Sequence, residues 1–317
     1  MKLYNDRNDH FLCHYTLVMD SFSKFCDIGC VYCYAKDFGP EQRTAISLKN
    51  LEKEFINAFD KEEKGGLSEI LRKKIPIRLG FETDPFQDLE KKTNITYSVL
   101  KLFKKYHYPY IIFTKSDLCL EEKYRELYDP DLTYIQVSVS SPLKEISKRI
   151  EPLAKPAEQR ADIVKILEAW GIESALRFNL LPRELHQMED AQYFKDCLEF
   201  IKKAKVKKLI LNKITLTKDK ERIQFPLSLE DFSKIQEENS EHTTVSLCYL
   251  GSSAVDYYTF KNEQCDNCCQ CDLKSRSKTT DLSIFLSPHE GMKNRLEHVV
   301  RMGMLKTLKF TLKNGVS

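Results

Sequence analysis

The sequence predicts an α/β protein built on a mainly parallel sheet, and three observations support this fold class. Strand-like and helix-like patterns alternate from about residue 11 to residue 216. Several strand segments, such as Tyr110–Phe113, are continuous apolar runs, as expected for strands that are covered on both faces. With 317 residues, 42% of them hydrophobic, the chain is long enough for a barrel with an appendage.

The first predicted elements follow from hydrophobic spacing. FLCHYTLVMD is expected to be a strand, and SLKNLEKEFINAFDKEEK a helix, because Leu48, Leu51, Phe55 and Phe59 recur at helical intervals. IPIRLGFE is a short apolar run and is predicted as a buried strand. TNITYSVLKLFKKY is predicted as the next helix, with Thr93 as its cap.

The alternation then continues, and Gly171 is expected to end one of the later helices. In chain order the segments are the strand YIIFTKS, the helix EEKYRELY, the strand TYIQVSVS, the helix KPAEQRADIVKILEAWG, the strand SALRFNLL, the helix DAQYFKDCLEFIKKAK and the strand KKLILNKITL. Six or seven such units imply right-handed crossovers. A full or partial barrel and a doubly wound sheet both fit, and both place functional residues at the C-terminal ends of the strands.

After about residue 220 the pattern changes. One more helix, SLEDFSKIQEEN, and one more strand, TTVSLCYL, precede a cysteine-dense loop and a basic tail. We therefore predict two parts, residues 1–220 and residues 221–317.

Composition narrows the function classes. Lys+Arg 50 against Asp+Glu 47 gives a net charge of +3, which argues against nucleic-acid binding by bulk charge alone. MKLYNDRNDHF lacks an apolar stretch behind a basic start, and no window approaches about 18 apolar residues, so we expect a cytoplasmic protein without membrane contact. Eleven cysteines in a reducing compartment favour metal binding or redox chemistry over disulfides.

The first cysteine cluster follows the first predicted strand. Cys26, Cys30 and Cys33 have x3 and x2 spacing, which lets three thiolates hold one face of a [4Fe–4S] cluster and leaves one iron open. An open coordination position is what a catalytic metal site needs. The alternatives are buried cysteines without a ligand, or a zinc site completed by Cys13 or His14.

This spacing, with an aromatic residue before the last cysteine, resembles the signature of the radical S-adenosylmethionine (SAM) superfamily. The resemblance implies that the open iron chelates the methionine part of SAM, and that reductive cleavage releases a 5′-deoxyadenosyl radical. It also implies that Tyr32 lies against the adenine and that Tyr34 belongs to the same cofactor-binding segment. A flavodoxin or ferredoxin is then expected as the electron donor.

Later segments resemble one branch of that superfamily, which contains spore photoproduct lyase and DNA repair photolyase-like proteins. In order they are CVYCYA, GFETDPFQDLE, FTKSDL, IQVSVSS, KRIEPLAKPAEQRADIVKILEAWGI and RFNLLP, spanning residues 26 to about 182. The resemblance implies a partial (β/α)6 TIM-type barrel, to which a C-terminal cysteine-rich metal-binding extension is added.

The resemblance assigns cofactor contacts to residues just after two strands. Glu82, Thr83 and Asp84 would accept hydrogen bonds from the methionine ammonium group, although Asp before Pro is also a common turn. Lys115 would pair with the methionine carboxylate, although a lysine is usually a solvated surface charge.

Two further segments are assigned in the same way. Ser138 and Ser140 share one face of a strand and would point into the barrel mouth, or else be strand serines satisfied by the backbone. Arg149, near Glu151, would either contact the cofactor or form a structural salt bridge.

The chain departs from the branch at the residue that returns a hydrogen atom to the product. In spore photoproduct lyase that residue is a cysteine, and the matching position here is Phe81. Cys119, one strand later, is the candidate catalytic substitute, and a buried free cysteine is the alternative. Repair of spore photoproduct by that route is therefore not expected.

A second cysteine cluster is predicted to bind metal in the C-terminal part. Four thiolates from the five available could hold a second [4Fe–4S] cluster or a structural zinc, and a redox-sensitive surface loop is the alternative. The five candidates are Cys248, Cys265, Cys268, Cys269 and Cys271.

The sequence thus predicts a radical SAM enzyme, with lyase or oxidoreductase-type chemistry, that abstracts hydrogen from a substrate. A nucleobase or nucleotide is the first candidate, by analogy with the branch. A tailoring enzyme for a peptide or small metabolite, and a non-catalytic metal-binding nucleic-acid module, are the alternatives. That module would recognise nucleic acid through the C-terminal loop and tail. The chain has two basic runs that could contact phosphates or be solvated faces. They are Lys202, Lys203, Lys205, Lys207 and Lys208, and Lys293, Arg295, Arg301, Lys306, Lys309 and Lys313.

Overall fold

The computed structural model describes residues 2–3, 17–33 and 44–247, except residues 65, 73, 75, 215, 219–220 and 224. Its main feature is an eight-stranded sheet in the order β1-β2-β5-β6-β7-β8-β9-β12. The strands of this sheet are β1 Lys2–Leu3, β2 Leu17–Met19, β5 Ile77–Leu79, β6 Tyr110–Thr114, β7 Thr133–Val139, β8 Glu173–Leu180, β9 Lys208–Lys213 and β12 Thr244–Leu247.

The short remaining strands form two antiparallel pairs beside this sheet. They are β3 Phe22–Ser23 with β4 Thr44–Ala45, and β10 Leu216–Lys218 with β11 Glu221–Ile223. In the main sheet β1 runs antiparallel to β2, and every other neighbouring pair is parallel.

Helices connect the parallel strands. The helices are α1 Leu48–Phe55, α2 Gly66–Arg72, α3 Asp88–Thr93, α4 Ile95–Lys105, α5 Glu122–Arg125, α6 Lys144–Ile150, α7 Ala157–Ala169, α8 Arg183–His186, α9 Asp190–Ala204 and α10 Leu229–Asn239. A π-helical turn, Ile56–Asp60, extends α1, and a 3-10 turn, Asp117–Leu120, follows β6. No helix of the described segments is long and apolar enough to cross a membrane.

The strand order decides between the two architectures that fit the sequence pattern. The seven parallel strands follow one another across the sheet in chain order, without the reversal that defines a doubly wound sheet. The structure therefore has the strand order of a partial barrel, with one more parallel strand than the six predicted. Because β12 pairs with β9, the sheet extends beyond residue 220. The proposed division at that residue itself stays a prediction.

Within the described residues the expected helices and strands are present, whereas residues 11–16 of the first predicted strand and 248–250 of the last lie outside them. One correction concerns a helix start. Thr93 ends α3 instead of capping α4, and Asn94, in the left-handed region at φ 50°, separates the two helices. The buried carboxylate of Glu90 accepts hydrogen bonds from the backbone N–H groups of Thr96 and Tyr97, at 2.8 and 3.0 Å. A side chain from the preceding helix thus satisfies the first turn of α4.

The apolar core lies between the sheet and its helices. Phe55 of α1 and Phe103 of α4 pack against Tyr108, just before β6, with ring centroids 5.3–5.9 Å apart. The opposite faces of several strands carry polar side chains, including Arg78 on β5 and Arg177 on β8. Polar side chains on the inner face of a barrel sheet can contribute to a functional site.

Candidate active site

A cavity of about 400 Å³ lies at the C-terminal ends of the parallel strands. All three cysteines of the first cluster line it, together with residues that follow β5 and β6 and inward-facing residues of β7, β8 and β9. These groups are far apart in the sequence. They come together because the strands of a parallel sheet all end at the same edge.

The cysteine loop, residues 26–33, is fixed on one side by the segment that follows β5. Gln87 is fully buried and accepts the Asp27 N–H at 2.9 Å, and its amide donates to the Phe25 carbonyl at 3.0 Å. The Asp27 carboxylate in turn accepts the Leu89 N–H at 3.1 Å. These bonds fix the backbone on both sides of Cys26.

The other end of the cysteine loop is fixed by the last residue of α6 and the segment that follows it. The Val31 N–H donates to the Ile150 carbonyl at 2.9 Å. Gly29 adopts φ +72°, a conformation that glycine tolerates best, and a Cβ there would lie 3.5 Å from Pro152. The loop therefore turns tightly between its first two cysteines.

The thiols of the cysteine loop fit a multinuclear cluster better than a single ion. Within the described residues, no three Cys, His, Asp or Glu side chains converge closely enough to hold one metal ion. A zinc ion would require that convergence because its Zn–S bonds are about 2.3 Å. A cubane cluster can instead take each thiolate on a different iron. Burial raises the pKa of Cys26 to about 12, so a bound metal would be needed to keep that group as a thiolate.

A buried network around Glu151, here called the Glu151 cluster, joins four of the named segments. Tyr32 donates its hydroxyl hydrogen to Glu151, and Ser140 donates to the same carboxylate oxygen at 2.6 Å. Arg160 forms an ion pair with the other oxygen at 2.7 Å, and both of these side chains are fully buried. Lys115 lies 3.8 Å from Glu151. Burial raises the pKa of Tyr32 well above its ordinary value, so its hydroxyl keeps the proton it donates.

The residues after β5 are held mainly by contacts within the protein. The Asp84 carboxylate accepts hydrogen bonds from the Thr114 hydroxyl at 2.8 Å, the Lys115 N–H at 2.7 Å and the Phe86 N–H at 2.9 Å. The Thr83 hydroxyl donates to the Phe22 carbonyl. Thr83 and Asp84 both line the cavity, but their side-chain oxygens already accept or donate hydrogen bonds within the protein. These contacts shape the cavity wall.

Glu82 lies beside them and also lines the cavity. Its N–H and that of Thr83 donate to one carboxylate oxygen of Asp20, at 2.9 and 3.0 Å. Burial raises the pKa of Asp20 to about 6, against the opposing effect of these two bonds. Asp20 follows β2, so it ties the end of β2 to the end of β5.

The cavity floor is formed by Arg78, Phe113 and Arg177, on β5, β6 and β8. The guanidinium carbons of Arg78 and Arg177 lie 5.7 and 5.6 Å from the Phe113 ring centroid. Arg177 also donates to the Gln136 amide oxygen at 3.2 Å. The floor thus brings two cationic groups to one aromatic ring.

An amide pair adjoins the floor. The side-chain amide of Asn212 donates to the Asn179 carbonyl oxygen at 2.9 Å, and both residues line the cavity. The Asn212 carbonyl oxygen is buried and has no hydrogen-bond partner within the described residues. A polar atom in that situation is an acceptor available to a ligand.

The structure separates the sequence-predicted site residues into two groups. Tyr32, Lys115 and Ser138 line the cavity along with the cysteines, Glu82, Thr83 and Asp84, whereas Ser140 lies behind it in the Glu151 cluster. Arg149 is not among the cavity-lining residues, and its guanidinium donates to the Leu185 carbonyl at 2.7 Å, which favours the structural role over a cofactor contact.

Cys119, the candidate hydrogen-atom donor, does not line the cavity. Its thiol is fully buried in the 3-10 turn after β6 and donates to the Ser116 carbonyl at 3.3 Å. Burial raises its pKa well above the ordinary range of a thiol. The arrangement favours the alternative of a buried structural cysteine.

Several predicted residues lie outside the described residues. They are Tyr34, the alternative ligands Cys13 and His14, the second cluster, which comprises Cys248, Cys265, Cys268, Cys269 and Cys271, and the basic tail. The first basic run is described in part. There Lys202 pairs with Glu238 at 2.7 Å and Lys208 pairs with Glu173, so both of these lysines already have carboxylate partners.

Sequence reasoning missed Arg78, Arg177 and Gln87. The first two had a usable signal, because each is a charge inside a mainly apolar strand segment, IPIRLGFE or SALRFNLL. A charge in the middle of a buried strand needs a partner or a function. Gln87 had no comparable signal, since its role depends on the loop that packs against it.

No protein-family model and no curated protein matches the chain. Several solved structures resemble it. Streptococcus suis SuiB bound to S-adenosylmethionine is 14% identical with a TM-score of 0.49, and the match covers 79% of this chain and 54% of SuiB. The chain therefore spans about half the length of SuiB.

Two further structures are similar over comparable portions. A structure of anSMEcpe with bound AdoMet and a peptide is 14% identical, covers 72% of this chain and 62% of that one, and has a TM-score of 0.45. Spore photoproduct lyase with its dinucleoside photoproduct is 10% identical, with 69% and 73% coverage and a TM-score of 0.44. The comparisons do not single out the photolyase-like branch. Because the identities and TM-scores are low, we base the proposed function on residues of this chain.

Proposed function

We propose that the protein is a radical SAM enzyme whose cluster is held by Cys26, Cys30 and Cys33. The observation that supports this most strongly is that three thiols of one short loop line an open cavity at the strand ends. Within the described residues no three potential ligands converge on a single ion, and three thiolates of one loop can each bind a different iron of a cluster that keeps one iron open. When bound, the cluster would supply the electron that cleaves SAM to methionine and a 5′-deoxyadenosyl radical, and a flavodoxin or ferredoxin would reduce it.

The residues around the cysteine loop would orient SAM and exclude water. Glu82 presents a carboxylate at the cavity wall, suited to the methionine ammonium group, and Lys115 presents a cation suited to its carboxylate. Ser138 offers a hydroxyl from β7. The Glu151 cluster would hold Tyr32 and Lys115 in place at the cavity, which is a positioning role.

The test is anaerobic reconstitution with iron and sulfide, followed by reduction in the presence of SAM. The wild-type protein should show a [4Fe–4S] absorption band and form 5′-deoxyadenosine, whereas Cys30→Ala should lose 5′-deoxyadenosine formation and the part of the band that the first cluster contributes. Cys119→Ala is a matched control, because it removes a buried thiol that does not line the cavity. The proposal is wrong if Cys30→Ala forms as much 5′-deoxyadenosine as the wild type.

A further inference from the structure

We infer that the outer face of the cysteine loop is the docking surface for a small acidic protein that carries one electron. This surface, here called the cysteine-loop patch, consists of Gly29, Val31, Pro152 and Leu153, which are all exposed. The assignment rests on the proposed function, because the loop needs an electron only if it holds a redox cluster. It gives that electron a point of entry on the chain.

Exposed hydrophobic side chains concentrate at the cysteine-loop patch. Within the described residues, the exposed large hydrophobic side chains are Val31 at 41%, Leu153 at 68% and Ile166 at 39%. The segments that carry the first two are in contact, because the Val31 N–H donates to the Ile150 carbonyl and a Cβ on Gly29 would lie 3.5 Å from Pro152. Single exposed hydrophobic residues are ordinary, whereas adjoining ones that are bordered by charge mark an interaction site.

The cysteine loop has one face toward the cavity and one toward the surface. Cys30 and Tyr32 line the cavity, whereas Val31, which lies between them, is exposed and is not among the lining residues. Successive Cα atoms are about 3.8 Å apart, so Val31 is only one residue away from a proposed cluster ligand. Electron transfer between proteins slows steeply with distance. A carrier on the patch would face the cluster across the thickness of this loop.

The charges on the C-terminal side of the patch favour an acidic partner. In residues 144–155, which include α6 and half of the patch, the exposed charged side chains are Lys144, Glu145, Lys148, Arg149 and Lys155. The last carboxylate of this stretch, Glu151, is buried. Lys155 pairs with Asp117 at 3.1 Å, but Lys148 and Arg149 lie in the last turn of α6, directly before the patch.

The segment on the other side of the cysteine loop adds little negative charge. There Asp88 pairs with Lys91 at 2.7 Å, and Lys92 is a further exposed cation. The Asp27 carboxylate accepts the Leu89 N–H. Cations thus outnumber carboxylates around the patch, and such a surface steers a negatively charged partner toward it.

The size of the patch suits an electron carrier better than a permanent subunit. Complexes formed for electron transfer bury less than about 1,200 Å² in total and are weak, whereas permanent interfaces are larger and more hydrophobic. A small apolar centre with a charged rim is the arrangement expected of such a short-lived contact. Acidic flavodoxins and ferredoxins have the required chemistry.

Binding is measured first, without turnover. The full-length protein, before and after reconstitution, is titrated with an oxidised acidic flavodoxin and with an acidic [2Fe–2S] ferredoxin, and the Kd is determined at low and high salt. Leu153→Asp should raise the Kd at least about tenfold, because it places a carboxylate at the apolar centre against an acidic partner. Lys148→Glu should raise the Kd and reduce its dependence on salt, since it reverses a charge beside that centre.

Ile166→Asp is the matched control, because Ile166 is also an exposed hydrophobic residue but lies on α7, outside the patch. Its Kd should equal that of the wild type. The urea midpoint of Leu153→Asp should also be unchanged, since the side chain that it replaces is mostly exposed. If Leu153→Asp does not fold, Lys148→Glu provides the same test.

The reconstituted enzyme gives a second readout. In Leu153→Asp, formation of 5′-deoxyadenosine driven by the reduced carrier should slow at least about tenfold, in proportion to the weaker binding. Formation driven by dithionite should match the wild type, because a small reductant needs no docking surface. A loss with both reductants would contradict a role confined to docking.

Three binding results overturn the inference. They are the failure of the wild type to bind either carrier, an equal Kd for Leu153→Asp and the wild type, and a wild-type dimer that Leu153→Asp dissociates. The last would make the patch an interface between copies of this chain. Failure of the proposed function would differ from all three, since the wild type would then form no 5′-deoxyadenosine with dithionite.

Discussion

Glu151 is the residue on which the positioning of the candidate cofactor contacts depends. Burial would raise its pKa, but the charges of Arg160 and Lys115 and hydrogen bonds from Ser140 and Tyr32 hold the pKa below its usual value. The group is therefore a carboxylate at neutral pH. Its charge is balanced mainly by Arg160, which also donates to the Ser138 carbonyl at 2.7 Å.

Arg160→Met should lower the free energy of unfolding by about 3–5 kcal/mol, because it leaves the Glu151 carboxylate buried without its closest cation. Urea denaturation of the reduced protein measures this. Lys165→Met, on the same helix, removes an exposed partner of Asp162 and should change stability by less than about 0.5 kcal/mol.

A third variant, Arg160→Lys, separates the effect of the charge from the effect of packing. Arg160→Lys keeps the charge and should recover part of the lost stability, although it loses the paired N–H geometry. If Arg160→Met is as stable as Lys165→Met, the ion pair does not hold this region together.

At the scale of elements, the end of β5 is where backbone geometry is most restricted. Gly80 adopts φ +87°, and a Cβ there would lie 2.6 Å from the Phe113 carbonyl oxygen and 2.7 Å from Pro85. Gly171, after α7, has φ +75° but nothing within 4 Å of such a Cβ. The two glycines share the conformation and differ in their surroundings.

Gly80→Ala should therefore destabilise the fold by at least about 2 kcal/mol more than Gly171→Ala. Both variants impose the cost of a left-handed conformation, about 1 kcal/mol, but only Gly80→Ala adds overpacking against β6. Thermal or urea unfolding of the pair measures the difference. Equal losses would show that β5 and β6 can separate at this point without cost.

The sequence predicted the elements better than their ends. Gly171 stops α7 as expected, and the helices and strands predicted between residues 48 and 213 are present. Thr93 was the wrong cap because capping of α4 comes from Glu90, whose side chain reaches forward from a separate short helix. Periodicity detects a buried face, whereas a cap depends on where the chain turns.

At the scale of the whole molecule, the second metal site in the C-terminal part stays a prediction from the sequence. If it is a [4Fe–4S] cluster, a variant lacking Cys26, Cys30 and Cys33 should retain about four irons per chain after reconstitution. Elemental analysis for iron and zinc checks this. One zinc per chain in place of iron would indicate a structural site, and neither metal would contradict a second site.

The sequence by itself determined the α/β fold class, the alternation of elements and the cysteine triad, because each is a pattern of neighbouring residues. The sequence motifs also identified several of the segments that line the cavity. Only the tertiary structure decided that Asp84 is held by Thr114 and Lys115, that Arg149 points elsewhere, and that two strand arginines meet on Phe113. These depend on which strands are neighbours and how deep each residue lies, and such distances arise only when the parallel sheet assembles.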